Sequence, residues 1–236
     1  MQDLRVQPMA GSGVTTNHSA ATLAAYERWA PFYPPTAHNP LMRAEQRAML
    51  DCWPQAAGRR ALDLACGTGR YSRLLAESQA AHIVAMDFCL PMLRQVSAVA
   101  RVCGSMMNLP FADHAFDVVV SGLALSHASS IRAWFAEVAR VLGNGGTLLY
   151  SDFHPEAARA GLPRTFKDTN ERTWTVPHHC YSVPMHQEAA AAANLVVDIV
   201  QEVRVGVELR EPFPNSDEFY RRWHGLPLVL VVRARK

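Results

Sequence analysis

Asp63-Leu64-Ala65-Cys66-Gly67-Thr68-Gly69-Arg70, followed by Asp87 at the end of Ile83-Val84-Ala85-Met86-Asp87, decides how this chain folds. The apolar run Arg60 to Ala65 reads as a buried strand, the glycines as a tight turn, and Tyr71 to Glu77 as an amphipathic helix that opens at the turn. Together with the next strand they make a βαβ unit of the nucleotide-binding kind. Glycine carries no Cβ to hold a ligand off the backbone, and a carboxylate ending the second strand can accept both hydroxyl hydrogens of a ribose. The residues therefore predict a site for an adenosine-bearing cofactor that touches Gly67, Gly69 and Asp87.

Spacing narrows the choice of cofactor. A dinucleotide fingerprint, G-x-G-x-x-G, needs a third small residue and a helix N-terminus open to a pyrophosphate. Ser72 stands in that third place, and Asp63 lies just below the turn, where its charge repels a pyrophosphate and suits a ligand carrying an ammonium group. The stretch resembles motif I of the class I S-adenosylmethionine-dependent methyltransferases, D-x-x-x-G-x-G. The alternative is that the glycines only make a tight strand-to-helix turn.

The resemblance runs further. Met86-Asp87-Phe88-Cys89-Leu90-Pro91-Met92-Leu93, Asn108-Leu109-Pro110-Phe111-Ala112-Asp113-His114-Ala115-Phe116-Asp117 and Val138-Ala139-Arg140-Val141-Leu142-Gly143-Asn144-Gly145-Gly146 match later segments of the same family. Residues from about Tyr26 to Asp152 resemble its type 11 small-molecule branch, which includes the ubiquinone and malonyl-carrier-protein methyltransferases. The resemblance implies S-adenosylmethionine as cofactor, with contacts at Asp63, Gly67, Thr68, Gly69 and Asp87. It also implies contacts at Phe88, Met92, Ser105, Met106 and Ser121. Asp63 either caps backbone N–H groups of the turn or orients the cofactor's amino group through water. Phe88 and Met92 either wall the adenine or belong to the core. Ser105 replaces the acid the family commonly carries near the adenine amino group, which shifts recognition there toward the Met106 backbone.

With 236 residues and a formal net charge of +2, the chain is long enough for one α/β domain with a sizeable core. Lacking a basic block or an aromatic-interleaved cationic stripe, it predicts a small-molecule partner, with neither nucleic acid nor membrane. The five cysteines, without a C-x-x-C pair, point to a reducing cytoplasm and away from a disulfide frame or thiolate metal site. No metal is expected.

The β/α alternation places strands at Arg60 to Ala65, Ile83 to Phe88, about Ala98 to Cys103, Phe116 to Ser121 and Gly146 to Ser151. Two late apolar runs, Leu195 to Val207 and Leu226 to Arg233, supply the last two. Clear helices are Leu41 to Trp53 and Ile131 to Leu142, the second stopped by a turn at Gly143-Asn144-Gly145-Gly146. The fold expected is α/β: a doubly wound, mostly parallel seven-stranded sheet with helices on both faces. The resemblance implies the order 3-2-1-4-5-7-6 with strand 7 antiparallel. Residues 1–21 read as a mobile tail and 22–236 as a single domain. Within that domain, about 22–53 make an N-terminal lid, and an insertion at about 153–193 roofs the acceptor pocket.

Acceptor residues are chosen by type and place. His127 follows the fourth strand and His154 the fifth, at the edge where open α/β sheets bind ligands, and imidazole can take a proton near neutral pH. Either histidine can equally be a hydrogen-bonded structural residue, and a well-aligned displacement needs no base when the acceptor has no proton to lose. Tyr26, Trp29, Tyr33 and Trp174 either form an aromatic acceptor pocket or anchor the fold. The leading function is therefore methyl transfer to O, N or C of a small, partly aromatic metabolite, free or on a carrier protein, by a monomer or homodimer. An NAD(P)-dependent dehydrogenase and a non-catalytic methyltransferase-like scaffold are the alternatives.

Overall fold

The computed structural model describes residues 13–97, 99–210 and 216–236. In chain order the strands are β1 (Arg60–Leu64), β2 (His82–Asp87), β3 (Ala100–Cys103), β4 (Phe116–Ser121), β5 (Leu142–Phe153), β6 (Thr165–Lys167), β7 (Thr173–Thr175), β8 (Val196–Arg204) and β9 (Pro227–Arg235). Seven of them form one sheet in the order β3-β2-β1-β4-β5-β9-β8, while β6 and β7 pair as a separate hairpin. β1 to β5 pair in parallel, and β9 runs antiparallel to both β5 and β8. The expected strand order and the reversed last strand are both present. Buried apolar residues run through β1 (Ala61, Leu62, Leu64), β4 (Val118 to Val120) and β9 (Leu228 to Val232), as strands covered on both faces require.

The helices are α1 (Gly13–Trp29), α2 (Pro40–Asp51), α3 (Arg70–Glu77), α4 (Leu90–Leu93), α5 (Ile131–Val141), α6 (Pro155–Arg159), α7 (Val183–Ala192) and α8 (Ser216–Trp223). Each face of the sheet buries its own cluster. On one, Trp134, Phe135 and Val138 of α5 and Ala189 and Ala190 of α7 pack on Leu62, Leu148 and Tyr150. On the other, Ala48 and Met49 of α2 and Tyr71 and Leu75 of α3 pack on Ala61, Val118 and Leu149. The apolar side chains of α5 recur at Ile131, Trp134, Phe135 and Val138, which gives it one buried stripe; Ser130 starts it by accepting the Ala133 N–H through its hydroxyl.

Two expectations need correcting. Residues 1–12 lie outside the described residues, but 13–21 are the first half of α1 rather than a tail. Ala20, Ala21, Ala24 and Ala25 favour the helix, and Thr22 is buried with its hydroxyl donating to the Pro177 carbonyl at 3.4 Å. Nor do residues 143–146 make a free turn. The helix stops at Val141 as expected, but β5 begins at once: Leu142 pairs with Phe116, and a register shift leads to the Val118–Thr147 pair. Gly145 and Gly146 also pair with the backbone of Lys236. The 153–193 segment is divided between two places: α7 packs against the sheet beside α5, while Phe153 and the stretch from Leu162 to Thr165 face the cavity at the strand ends.

Candidate active site

A cavity of about 590 Å³ opens at the carboxyl ends of β1, β2 and β4, in the size range of small-molecule sites. Its floor is the glycine turn. Gly67 lies in the left-handed region at φ +55°, faces the cavity, and has nothing within 4 Å of where a Cβ would project. Its N–H donates to Asp87 Oδ2 at 2.8 Å, and the Cys89 N–H donates to Asp87 Oδ1 at 2.7 Å. Asp87 thus ends β2 with its carboxylate fixed at the cavity wall, only 7% exposed. Burial pushes its pKa up to about 6 against the pull of these N–H groups.

Gly69 has a different task. At φ +86° it starts α3, and a Cβ there would meet Val96 at 3.0 Å; it does not reach the cavity wall. Asp63 is likewise behind the wall: Oδ2 accepts both the N–H and the hydroxyl of Ser72 at 2.6 Å, so it caps α3, which has no capping side chain at its own start. Its capping reading is therefore the one the contacts supply. Burial raises its pKa to about 6.

Thr68, Phe88, Met92, Ser105 and Met106 all line the cavity. The Thr68 hydroxyl donates to the Pro34 carbonyl at 3.3 Å, and Ser105 Oγ, at the exposed rim, accepts the Met107 N–H at 3.2 Å. Ser121 is fully buried and does not reach the wall, which its neighbours Gly122 and Leu123 form instead.

The opposite side is aromatic. Tyr26, Trp29 and Tyr33 line the cavity; Trp29 stacks on Phe166 of β6 at 4.5 Å and meets Tyr33 edge-on at 4.6 Å. Burial pushes the Tyr33 hydroxyl up to about 12, so it stays protonated. Trp174 is not part of this wall. Its indole N–H donates to Asp168 at 2.8 Å and its ring lies under Arg28 at 3.8 Å, which makes it an anchor for the hairpin.

His127 lines the cavity with its orientation fixed. Nδ1 lies 3.0 Å from the Pro177 carbonyl, which can only accept, so Nδ1 carries the proton and Nε2 accepts from the Tyr26 hydroxyl, also at 3.0 Å. His154 is elsewhere. Its Nδ1 caps α6 by accepting the Glu156 N–H, its Nε2 faces Glu202 of β8 at 3.4 Å, and burial lowers its pKa. It does not line the cavity, so the expected catalytic place of His154 is corrected to a structural one.

Residues 62–150 match the methyltransferase-domain family Methyltransf_11. They carry a methyltransferase domain. A demethylmenaquinone methyltransferase of Corynebacterium urealyticum is 44% identical over 115 residues, 48% of this chain and 48% of that protein. The match thus spans about half the length of the curated relatives. Among solved structures, an S-adenosylmethionine-dependent methyltransferase from Mesorhizobium loti shares the fold at a TM-score of 0.67 and 23% identity, over 82% of this chain and 98% of its own. The cyclase SpnF also shares it at 0.67, with 17% identity over 98% and 99% of the two chains.

Two charged groups outside residues 62–150, Glu45 and Arg164, are not among the expected site residues. Glu45, fully buried on α2, accepts from Arg70 and from the Tyr71 hydroxyl, each at 2.6 Å. The signal was available: Glu45 falls between Met42 and Met49 on the buried stripe of its helix, where an acid needs partners. Arg164 is the second, at the cavity wall in the irregular stretch before β6, where no periodicity marks it. Among the described residues no cluster of His, Cys, Asp or Glu could hold a metal ion, and no helix is long and apolar enough to cross a membrane.

Proposed function

We propose that the protein transfers a methyl group from S-adenosylmethionine to O, N or C of a small, partly aromatic metabolite. The observation that carries this reading is one continuous cavity joining the Gly67 and Asp87 cradle to the wall of Tyr26, Trp29 and Tyr33. Open space over Gly67 and a fixed carboxylate at Asp87 suit a ribose, and Thr68, Phe88, Met92 and Met106 suit the rest of an adenosine. When bound, the cofactor would supply an electrophilic methyl on sulfur. The chain's own part is to hold the acceptor close and aligned, exclude water with the aromatic wall, and accept a proton at His127 Nε2 through Tyr26 when the acceptor carries one.

The curated relative's name points to demethylmenaquinone as that protein's acceptor, and a planar ring of that kind suits a wall of three aromatic side chains. The acceptor is read as free, although a carrier-bound one and a homodimeric enzyme fit the same cavity. A cytoplasmic setting is proposed from five free thiols, two of them exposed. Thermal shift decides the cofactor. S-adenosylhomocysteine at a hundred times its Kd stabilises by about 2.7 kcal/mol, and NAD should give no shift at the same concentration. A shift with NAD alone would favour the dehydrogenase; binding of S-adenosylhomocysteine without turnover on any acceptor would favour the scaffold.

A further inference from the structure

Two guanidinium groups line the cavity, and they are balanced differently. Arg70 donates to Glu45 Oε2 at 2.6 Å, a buried ion pair. Arg164 donates to the Leu123 carbonyl at 2.5 Å, to Ser126 Oγ at 3.0 Å and to the Tyr26 hydroxyl at 3.3 Å, all neutral acceptors. Among the described residues no carboxylate forms an ion pair with it within 4.0 Å. Asp152 senses its charge from further off, with Oδ1 accepting the Ser126 and Phe153 N–H groups.

A guanidinium offers five donors, and these three bonds leave two unused. Half-buried beside an aromatic wall, a fixed cation with spare donors and no anion at contact is placed to receive one. The three bonds also hold the guanidinium plane still, so little ordering remains to be done when a ligand arrives. Asp87, the carboxylate among the lining residues, is occupied by the Gly67 and Cys89 N–H groups.

We propose that the acceptor carries a carboxylate on a planar ring and docks it on Arg164, with the ring against Trp29 and Tyr33. This rests on the methyltransferase reading and names the class of substrate that site takes. Arg164 is then a specificity-determining residue: it selects the anionic acceptor over its neutral isostere.

The test is calorimetric titration of the full chain, first with S-adenosylhomocysteine and then, in the loaded protein, with 2-naphthoate and 2-naphthamide. S-adenosylhomocysteine binding checks the methyltransferase reading independently of the rest. The expected result is binding of 2-naphthoate at least tenfold tighter than of 2-naphthamide. Arg164→Gln should remove that preference while leaving amide and S-adenosylhomocysteine affinity within twofold, and Arg164→Lys should keep part of it. Equal binding of the two probes, or binding of neither, in a protein that does bind S-adenosylhomocysteine overturns the proposal. So does an Arg164→Gln protein that loses both probes alike, because that is the result of a purely structural tie between the loop and the strand ends.

Discussion

The Gly67 N–H donates to Asp87 Oδ2 at 2.8 Å, joining the turn after β1 to the tip of β2 across the floor of the cavity. One carboxylate therefore both shapes the glycine turn and faces the space where a ribose would lie. On the proposed function, ligand binding and local folding are coupled at that carboxylate.

Asp87→Ala should therefore fail in two measurements at once. Losing hydrogen bonds to a charged group costs about 1.5–3 kcal/mol, so the Kd for S-adenosylhomocysteine should rise by roughly ten- to more than a hundredfold. The Gly67 and Cys89 N–H groups also lose their acceptor, so the melting temperature should fall by several degrees. Calorimetric titration and a thermal melt of the same preparation check both. An unchanged Kd moves the ribose elsewhere.

Gly67 and Gly69 sit in one motif but should respond to the same change in opposite ways. A Cβ on Gly67 projects into open cavity, so Gly67→Ala should cost only the ~1 kcal/mol of its left-handed backbone while obstructing the ligand. A Cβ on Gly69 would press on Val96, so Gly69→Ala should lower stability more and leave ligand affinity closer to wild type. Urea denaturation together with S-adenosylhomocysteine titration separates the two. Equal loss of affinity in both variants would mean that Gly69 also meets the ligand.

How much of this was legible in the sequence follows from what each residue's neighbours are. The βαβ core could be read because Asp63, Gly67, Gly69 and Asp87 are close in sequence and its hydrogen bonds close locally, Asp63 with Ser72 and Gly67 with Asp87. The roof could not. Tyr26 meets His127 across 101 positions and Arg164 across 138, and nothing local distinguishes His127 from His154 or Trp29 from Trp174. His154 looked equivalent to His127 because both follow strands, but the chain after β5 turns into α6 and uses the imidazole as its cap. Residues 13–21 join α1 for a related reason: their polarity reads as exposure, while the alanines of 20–25 favour a helix.

His186 gives a pH signature in stability rather than in catalysis. It is buried, with Nδ1 bonded to the Tyr150 hydroxyl at 2.9 Å, and burial lowers its pKa from 6.5 to about 4. Between those values the unfolded chain binds a proton that the folded chain refuses, so this residue's contribution falls as pH drops from about 6.5 to 4. Asp63, Asp87 and Asp152, each raised to about 6 by burial, act in the opposite sense: their contribution falls as pH rises from about 4 to 6. The whole protein thus mixes both signs, and the variant isolates one. His186→Gln should be less stable than wild type at pH 7.5, with the gap narrowing at pH 4.5. A gap independent of pH in urea denaturation would show that His186 is not held neutral.

The two histidines expected at strand ends should now behave differently from each other. His127 shares a hydrogen bond with Tyr26 at the cavity wall and has its Nε2 lone pair directed at that hydroxyl, whereas His154 faces Glu202 on β8. On an acceptor that loses a proton, His127→Ala should lower kcat by ~10²–10⁴, the range of general-base contributions, with S-adenosylhomocysteine affinity preserved. His154→Ala should leave kcat near wild type and lower the melting temperature, because α6 loses its cap. His127→Ala with kcat within threefold of wild type would leave positioning by the cavity walls as the main source of rate. Tyr26→Phe discriminates further. If the proton passes through the Tyr26 hydroxyl to Nε2, Tyr26→Phe should lower kcat nearly as much as His127→Ala, and the double variant should be little worse than either, since both interrupt one path. Additive losses would mean that the acceptor reaches the two groups independently.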